Sequence, residues 1–192
     1  VGHKNHDEAL GALGVAPENM QLVESVDDIN EINFHDESVA LLAQTTLAMS
    51  EWEPILDKVK KEYKNIELPR KSDLCYATTN RQKALINISD KVDIVFVVGS
   101  STSSNTNALV TTISNLGKQA HRIETLDDLK DLNIENKNVA ITAGASAPEH
   151  IVNEISNFLN PNNLEFYTDT TEEEYFPLPK ELRSNISGLS KL

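Results

Sequence analysis

The chain has 192 residues, 39% of them apolar and 24% charged, which is globular composition with enough length for one large or two small domains. Its net charge of −13, with no Lys/Arg stripe carrying interleaved aromatics, argues against a nucleic-acid partner, although a local site can still oppose the global charge and hold an anion. Its one cysteine excludes an internal disulfide and fits a reducing compartment, and no apolar run reaches the roughly 18–20 residues of a membrane-spanning helix.

Val1-Gly2 reads as the end of a strand. The opening residues carry no initiator Met and no basic-then-apolar leader, so the sequence is expected to start inside a longer one. His3, His6 and Glu8 come next in a short polar stretch, leading into a helix to about residue 13. Residues 21–24 are a strand candidate. Ser25 is placed to cap a helical turn over 26–29, with Asp27 and Asp28 at its positive end. The continuous apolar run 38–43 predicts a strand buried on both faces, and Gln44-Thr45-Thr46-Leu47 the turn after it. Ser50 with Glu53 has capping-box spacing, and Pro54 sits early in the same helix. Trp52, Leu56, Val59 and Tyr63 supply that helix's apolar period.

A short strand is expected at 66–68 and a linker over 69–72. The pattern then restarts. A loop holding Cys75 leads to a helix over 79–88, a strand over 93–98, a loop over 99–104 and a helix over 105–116. A strand at 120–123, a helix at 126–132, a strand at 139–142, a loop at 143–146 and a helix over 148–159 complete it. Residues 164–167 suggest a last strand. The acidic run 169–174 reads as a solvated loop, and Pro177 and Pro179 interrupt regular structure after it. Strands alternating with helices predict parallel βαβ units with right-handed crossovers, here two of them, divided near residue 70.

Ligands meet such sheets at the carboxyl ends of the strands. Ser103, Ser104 and Asn105 follow one strand and Ser146 another, each just before a helix. Free N–H groups and the helix dipole suit both places to an anion, and both are equally places for ordinary N-caps. Neither a Gly-x-x-x-x-Gly-Lys nor a Gly-x-Gly-x-x-Gly is present. His3-x-x-His6 allows a metal site; His6 with Glu8 also allows a proton-handling pair in which the carboxylate tunes the imidazole. His35, His121 and His150 stand alone and read as structural or surface residues. Cys75 is open to three readings: buried apolar residue, nucleophile or metal ligand.

Taken in order, five motifs form a recognisable set. They are Gly2-His3-x-x-His6-x-Glu8-x-x-Gly11, Gln44-Thr45-Thr46-Leu47, Pro69-Arg70-Lys71-x-Asp73-x-Cys75-Tyr76-Ala77-Thr78-Thr79-Asn80-Arg81-Gln82, Val98-Gly99-Ser100-x-x-Ser103-Ser104-Asn105-x-Asn107 and Thr142-Ala143-Gly144-Ala145-Ser146-Ala147-Pro148. Together they resemble the LytB/IspH family of 4-hydroxy-3-methylbut-2-enyl diphosphate reductases, over all but the last thirty or so residues.

The resemblance implies an α/β fold of two repeated βαβ-type domains with small parallel sheets, part of a three-domain trefoil whose first domain is missing. Residues 1–70 would be the second domain, 71–160 the third and 161–192 a C-terminal extension. It implies a 4Fe-4S iron–sulfur cluster held by three cysteines, of which Cys75 matches the third. Glu8 matches the proton-delivering residue and Thr45 its hydroxyl relay. His6, Ser103, Ser104, Asn105 and Ser146 match contacts to the substrate's diphosphate. The implied reaction reduces 4-hydroxy-3-methylbut-2-enyl diphosphate to isopentenyl and dimethylallyl diphosphate, the last step of the methylerythritol phosphate route. The implied electron donor is a ferredoxin or flavodoxin, and the implied setting is a bacterial cytoplasm or a plastid. The family's other two cluster cysteines and two further histidines have no counterpart in this sequence. The fragment is therefore expected to be inactive alone, and the alternative is a non-catalytic diphosphate- or sugar-phosphate-binding module.

Overall fold

The structure, a computed structural model, describes residues 1–32, 38–69, 72–168, 178–179 and 182. The acidic run 169–174, Pro177, His35 and the Arg70-Lys71 part of the linker lie outside the described residues.

Helix α1 (Asp7–Val15) comes first, then strand β1 (Val39–Ala40), helix α2 (Met49–Glu62) and strand β2 (Ile66–Glu67). β1 and β2 pair in parallel, Val39 opposite Ile66. Val1 lies beside the segment that follows β1: its nitrogen donates to the Leu42 carbonyl at 2.5 Å, and the Gln44 N–H donates to the Val1 carbonyl at 2.8 Å. The segment 21–24 forms no strand. Its backbone is tied to Gly2 by the bond from the Gly2 N–H to the Val23 carbonyl at 3.0 Å, which makes no ladder, and Glu24 bonds the Lys4 N–H through its carboxylate and Asp28 through its own N–H.

The second unit contains helix α3 (Tyr76–Ile88), strand β3 (Ile94–Val98), helix α4 (Ser104–Asn115), strand β4 (Gln119–Ile123), strand β5 (Val139–Ala143) and helix α5 (Glu149–Leu159). Its sheet runs β4-β3-β5, parallel throughout, with Val98 opposite both Ile123 and Ala143. The strand expected over 93–98 becomes the central strand, and every residue of β3 is buried. Successive side chains leave opposite faces of a strand. Val95 and Val97 accordingly pack with Leu85, Leu109 and Ile113 on one side, and Ile94, Phe96 and Val98 with Ile123, Leu129 and Ile155 on the other. His121, on β4, sets its ring edge-to-face with Phe96, with centroids 6.2 Å apart, while His150 is exposed on α5.

The two units repeat one design. Gly2 N–H to Val23 O at 3.0 Å has its counterpart in Gly99 N–H to Ile123 O at 3.1 Å. Gln44 N–H to Val1 O and Gly144 N–H to Val98 O are both 2.8 Å. Asp28 accepts from the N–H groups of Glu24 and Ser25, and Asp128 from those of Glu124 and Thr125. These backbone bonds hold both carboxyls below their ordinary pKa.

Several boundaries differ from those the sequence predicts. Residue Ala48, fully buried, is the N-cap of α2, and the Glu51 carboxylate reaches back to its N–H at 2.9 Å, so Ser50 and Glu53 are not the capping pair. The apolar face of α2 uses Trp52, Ile55, Val59 and Tyr63, with Leu56 at its margin. Helix α3 starts directly after Cys75 rather than at Thr79. The expected helix over 126–132 is a single 3-10 turn, Leu126–Leu129. Residues 164–167 form no strand: a strand needs an edge to pair with, they have none among the described residues, and Phe166 is 91% exposed.

Candidate active site

The carboxyl ends of both sheets and the starts of α1, α3 and α4 meet along one hydrogen-bonded seam. At its upstream end His6 caps α1, its Nδ1 accepting from the Glu8 N–H at 3.2 Å. With Nδ1 accepting, a neutral ring carries its proton on Nε2. The Glu8 carboxylate does not pair with that ring. It turns to Thr45, accepting from the Thr45 N–H at 3.0 and 3.1 Å and from Thr45 Oγ1 at 3.1 Å. The expected His6–Glu8 carboxylate–imidazole pair is thus replaced by a carboxylate–hydroxyl pair, because Glu8 at the second helical position points back over the N-terminus toward the turn after β1.

Thr45 also touches the cysteine. Its carbonyl accepts from the Cys75 N–H at 2.9 Å, and Cys75, half-buried and free, is the N-cap of α3. The Glu8 acid and the backbone of Cys75 therefore meet at one residue. The carbonyl of Cys75 in turn accepts the Thr78 N–H at 2.9 Å.

Gln44 is the hub beside this chain, a buried polar residue at the end of an apolar run. Its Oε1 accepts from the His3 N–H at 3.0 Å; its amide donates to Thr46 Oγ1 at 2.9 Å and to Ser104 Oγ at 2.8 Å. Thr46 Oγ1 donates to Ser104 Oγ at 2.8 Å. Ser104 Oγ thus accepts twice, which fills its acceptor capacity and leaves its own proton free to point outward. A cavity of about 330 Å³ opens beside it, lined by His3, Asn5, His6, Glu51, Ser104 and Asn107 among others. A half-exposed His3–Glu51 contact, 3.2 Å long, borders the same space.

Ser103 caps α4, its hydroxyl accepting from the Thr106 N–H at 3.3 Å. Asn105 is buried and committed internally, donating to Thr78 Oγ1 at 2.6 Å and accepting from the Ala145 N–H at 3.1 Å. Its bond to Ala145 is the counterpart of Glu8 to Thr45 in the other unit, an amide where that unit has an acid. Ser146 stands exposed in the turn before α5. Glu8, Thr45, Cys75, Thr78, Asn105 and Ala145 thus form one continuous chain. Gln44 joins Ser104 to it, and Ser146 stands one residue beyond. Sequence reasoning missed Gln44 as a hub and Thr78 as a link. Both stand inside the motifs Gln44-Thr45-Thr46-Leu47 and Cys75-Tyr76-Ala77-Thr78-Thr79, which are the signal the sequence held for them.

Among the described residues no group of three His, Cys, Asp or Glu side chains is arranged to hold a metal ion, so the His3-x-x-His6 metal reading finds no support in the geometry. Cys75 offers one soft donor, not a complete ligand set.

These features define a two-unit α/β protein whose polar, anion-suited face lies at the carboxyl ends of its parallel strands. A family model described as LytB protein matches residues 1–160, and the chain belongs to that family. A relative from Pectobacterium carotovorum, named 4-hydroxy-3-methylbut-2-enyl diphosphate reductase, is 38% identical over 194 residues, covering 97% of this chain and 61% of its own length. One of the same name from Actinobacillus succinogenes is 36% identical, covering 96% and 62%. The solved structure of the E-1-hydroxy-2-methyl-but-2-enyl-4-diphosphate reductase from Plasmodium falciparum matches with a TM-score of 0.86 at 34% identity, over 96% of this chain and 60% of that one. The chain thus spans about three-fifths of the length of the relatives it matches.

Proposed function

We propose that this chain carries the proton-delivering and diphosphate-gripping part of a 4-hydroxy-3-methylbut-2-enyl diphosphate reductase. Residues 1–70 and 71–160 are its second and third domains, and 161–192 its C-terminal extension. The observation that carries the reading is the Thr45 junction, with the Glu8 carboxylate on its N–H and hydroxyl and the Cys75 N–H on its carbonyl.

The reaction breaks an allylic C–O bond. Two electrons and two protons enter, the hydroxyl leaves as water, and a C–H bond forms on the allyl unit, giving isopentenyl or dimethylallyl diphosphate. Loss of hydroxide needs a proton source at that oxygen. Glu8 supplies it, with Thr45 Oγ1 as relay, each within hydrogen-bond reach of the other. The diphosphate is held by the outward proton of Ser104, the Nε2–H of His6, the hydroxyls of Ser103 and Ser146, and the N-termini of α4 and α5. Asn105, whose side chain is occupied, serves by fixing the loops around Ala145 and Thr78 and by presenting its own N–H in the first turn of α4.

The cofactor of this reading is a 4Fe-4S cluster, which supplies the electrons and a Lewis-acidic iron. Cys75, at the start of α3, fits as one soft sulfur ligand. The described residues do not complete the set, so the other ligands come from outside this chain. The electron donor belongs to the ferredoxin or flavodoxin class. Among the described residues no helix is long and apolar enough to cross a membrane, which fits a bacterial cytoplasm or a plastid.

The test is anaerobic expression of the gene with the DNA that precedes the codon for Val1. An iron–sulfur absorption band and substrate consumption are expected, and both should disappear in Cys75→Ser. A cluster that forms normally in Cys75→Ser would overturn the assignment. Pyrophosphate binding with neither iron nor turnover in that longer protein would favour the diphosphate-binding module instead.

A further inference from the structure

Gly99 opens the loop from β3 into α4, and Gly144 the loop from β5 into α5. A methyl placed on either glycine would lie 2.3 Å from Thr106 Oγ1. The hydroxyl therefore fills the notch between the two loops that the proposed function assigns to the diphosphate. Gly99 has φ +148°, which itself calls for glycine; Gly144 is not in the left-handed region, so Thr106 alone bars a side chain there.

Thr106 is fully buried, and its Oγ1 has no hydrogen-bond partner among the described residues. Burying an unpartnered hydroxyl is unfavourable, and an apolar group of similar shape would avoid the penalty. The first unit shows that the fold does not demand it. The equivalent notch behind Gly2 is filled by the Gln44 side chain, 3.1 Å from the added carbon, and by the methyl of Ala9, 3.4 Å from it, with no hydroxyl. An oxygen is narrower than a methyl and tolerates close Cα–H groups. Its neighbour Asn105 bonds the Ala145 N–H, so two consecutive residues of α4 grip the same turn.

We propose that Thr106 is a positioning residue whose oxygen, rather than its bulk, sets the separation of the 99–103 and 144–148 loops, so that both close on one diphosphate group. This rests on the proposed function for its ligand but not for its geometry.

The test compares Thr106→Ser and Thr106→Val by melting temperature, by calorimetric affinity for inorganic pyrophosphate, and by amide hydrogen exchange without ligand. Melting should follow the methyl, with Val no lower than Ser. Affinity should follow the oxygen, with Ser close to the parent and Val roughly tenfold weaker, since sub-ångström misplacement of binding groups is expensive. Exchange should rise in both loops in Val and stay unchanged in Ser. Gly144→Ala should destabilise the parent, and Thr106→Ala should remove that effect. Affinity ranking in the same order as melting, or exchange unchanged in Val, would overturn the proposal. If the parent does not bind pyrophosphate, the diphosphate reading falls, and exchange and the Gly144–Thr106 coupling still decide the positioning role.

Discussion

Glu8→Ala and Glu8→Gln should separate the structural role of this carboxylate from its chemical one. The Ala variant loses the acceptor of the Thr45 N–H and of Thr45 Oγ1. Hydrogen bonds to a charged group are worth about 1.5–3 kcal/mol, and the stranded Thr45 N–H is only partly reachable by water. An acid is also lost from the first turn of α1, worth about 0.3–1 kcal/mol. The net loss is about 2–3 kcal/mol, or roughly 4–12 °C in Tm at about 2–4 °C per kcal/mol for a chain of this size. Gln keeps an acceptor oxygen for the Thr45 N–H and should stay within about 1 kcal/mol of the parent. It cannot give up a proton, so turnover of the longer protein should fall roughly 10²–10⁴-fold. Thermal unfolding followed by circular dichroism and anaerobic turnover provide the readouts. Equal melting of the two variants would show that the Thr45 contact contributes nothing to stability. Undiminished turnover in the Gln variant would remove Glu8 as proton donor.

Stability should fall as the medium is acidified. Asp28 and Asp128 have folded pKa values depressed by backbone N–H donors. Their contribution is present above the unfolded value of about 3.9 and is lost as pH falls through that value toward the folded ones. Urea midpoints measured from pH 6 to pH 3 should show that loss, and it should be shallower in the Asp28→Asn, Asp128→Asn double variant. Gln44→Leu should strand the His3 N–H and take one donor each from the Thr46 and Ser104 hydroxyls, which keep only each other, costing about 1–3 kcal/mol and weakening pyrophosphate binding through Ser104. Binding unchanged by calorimetry would show that Ser104 is not held by Gln44. Cys75→Ser should melt close to the parent in the 192-residue chain, because its bond to Thr45 is made by the backbone; a large loss would make the thiol a packing element.

Alternation of strands and helices was legible because its signals are local. The strand expected over 93–98 is the centre of the second sheet, with every residue of Ile94–Val98 buried, whereas the apolar run 38–43, expected as a strand buried on both faces, is strand only at Val39–Ala40 and leaves Leu42 exposed. Polar loops after strands located Ser103, Ser104 and Ser146, and one charged loop before a helix located Cys75. The misreadings share a cause. Residues 164–167 have strand composition but no edge to join among the described residues. Ser50 and Glu53 have capping spacing, yet burial of Ala48 moves the helix start two residues upstream. Residues 126–132 have helical spacing, and Asp128 caps their start through the Glu124 and Thr125 N–H groups, yet only the 3-10 turn Leu126–Leu129 forms.

The sequence by itself determined the α/β alternation, the family and the residue types of the site. Only the tertiary structure decided which of those residues meet. Glu8 reaches Thr45 across 37 residues, Gln44 reaches Ser104 across 60, and Asn105 reaches Ala145 across 40. Composition and period describe neighbours along the chain, whereas these bonds exist because parallel strands bring distant carboxyl ends to one edge, where each helix start can answer a turn from another part of the molecule.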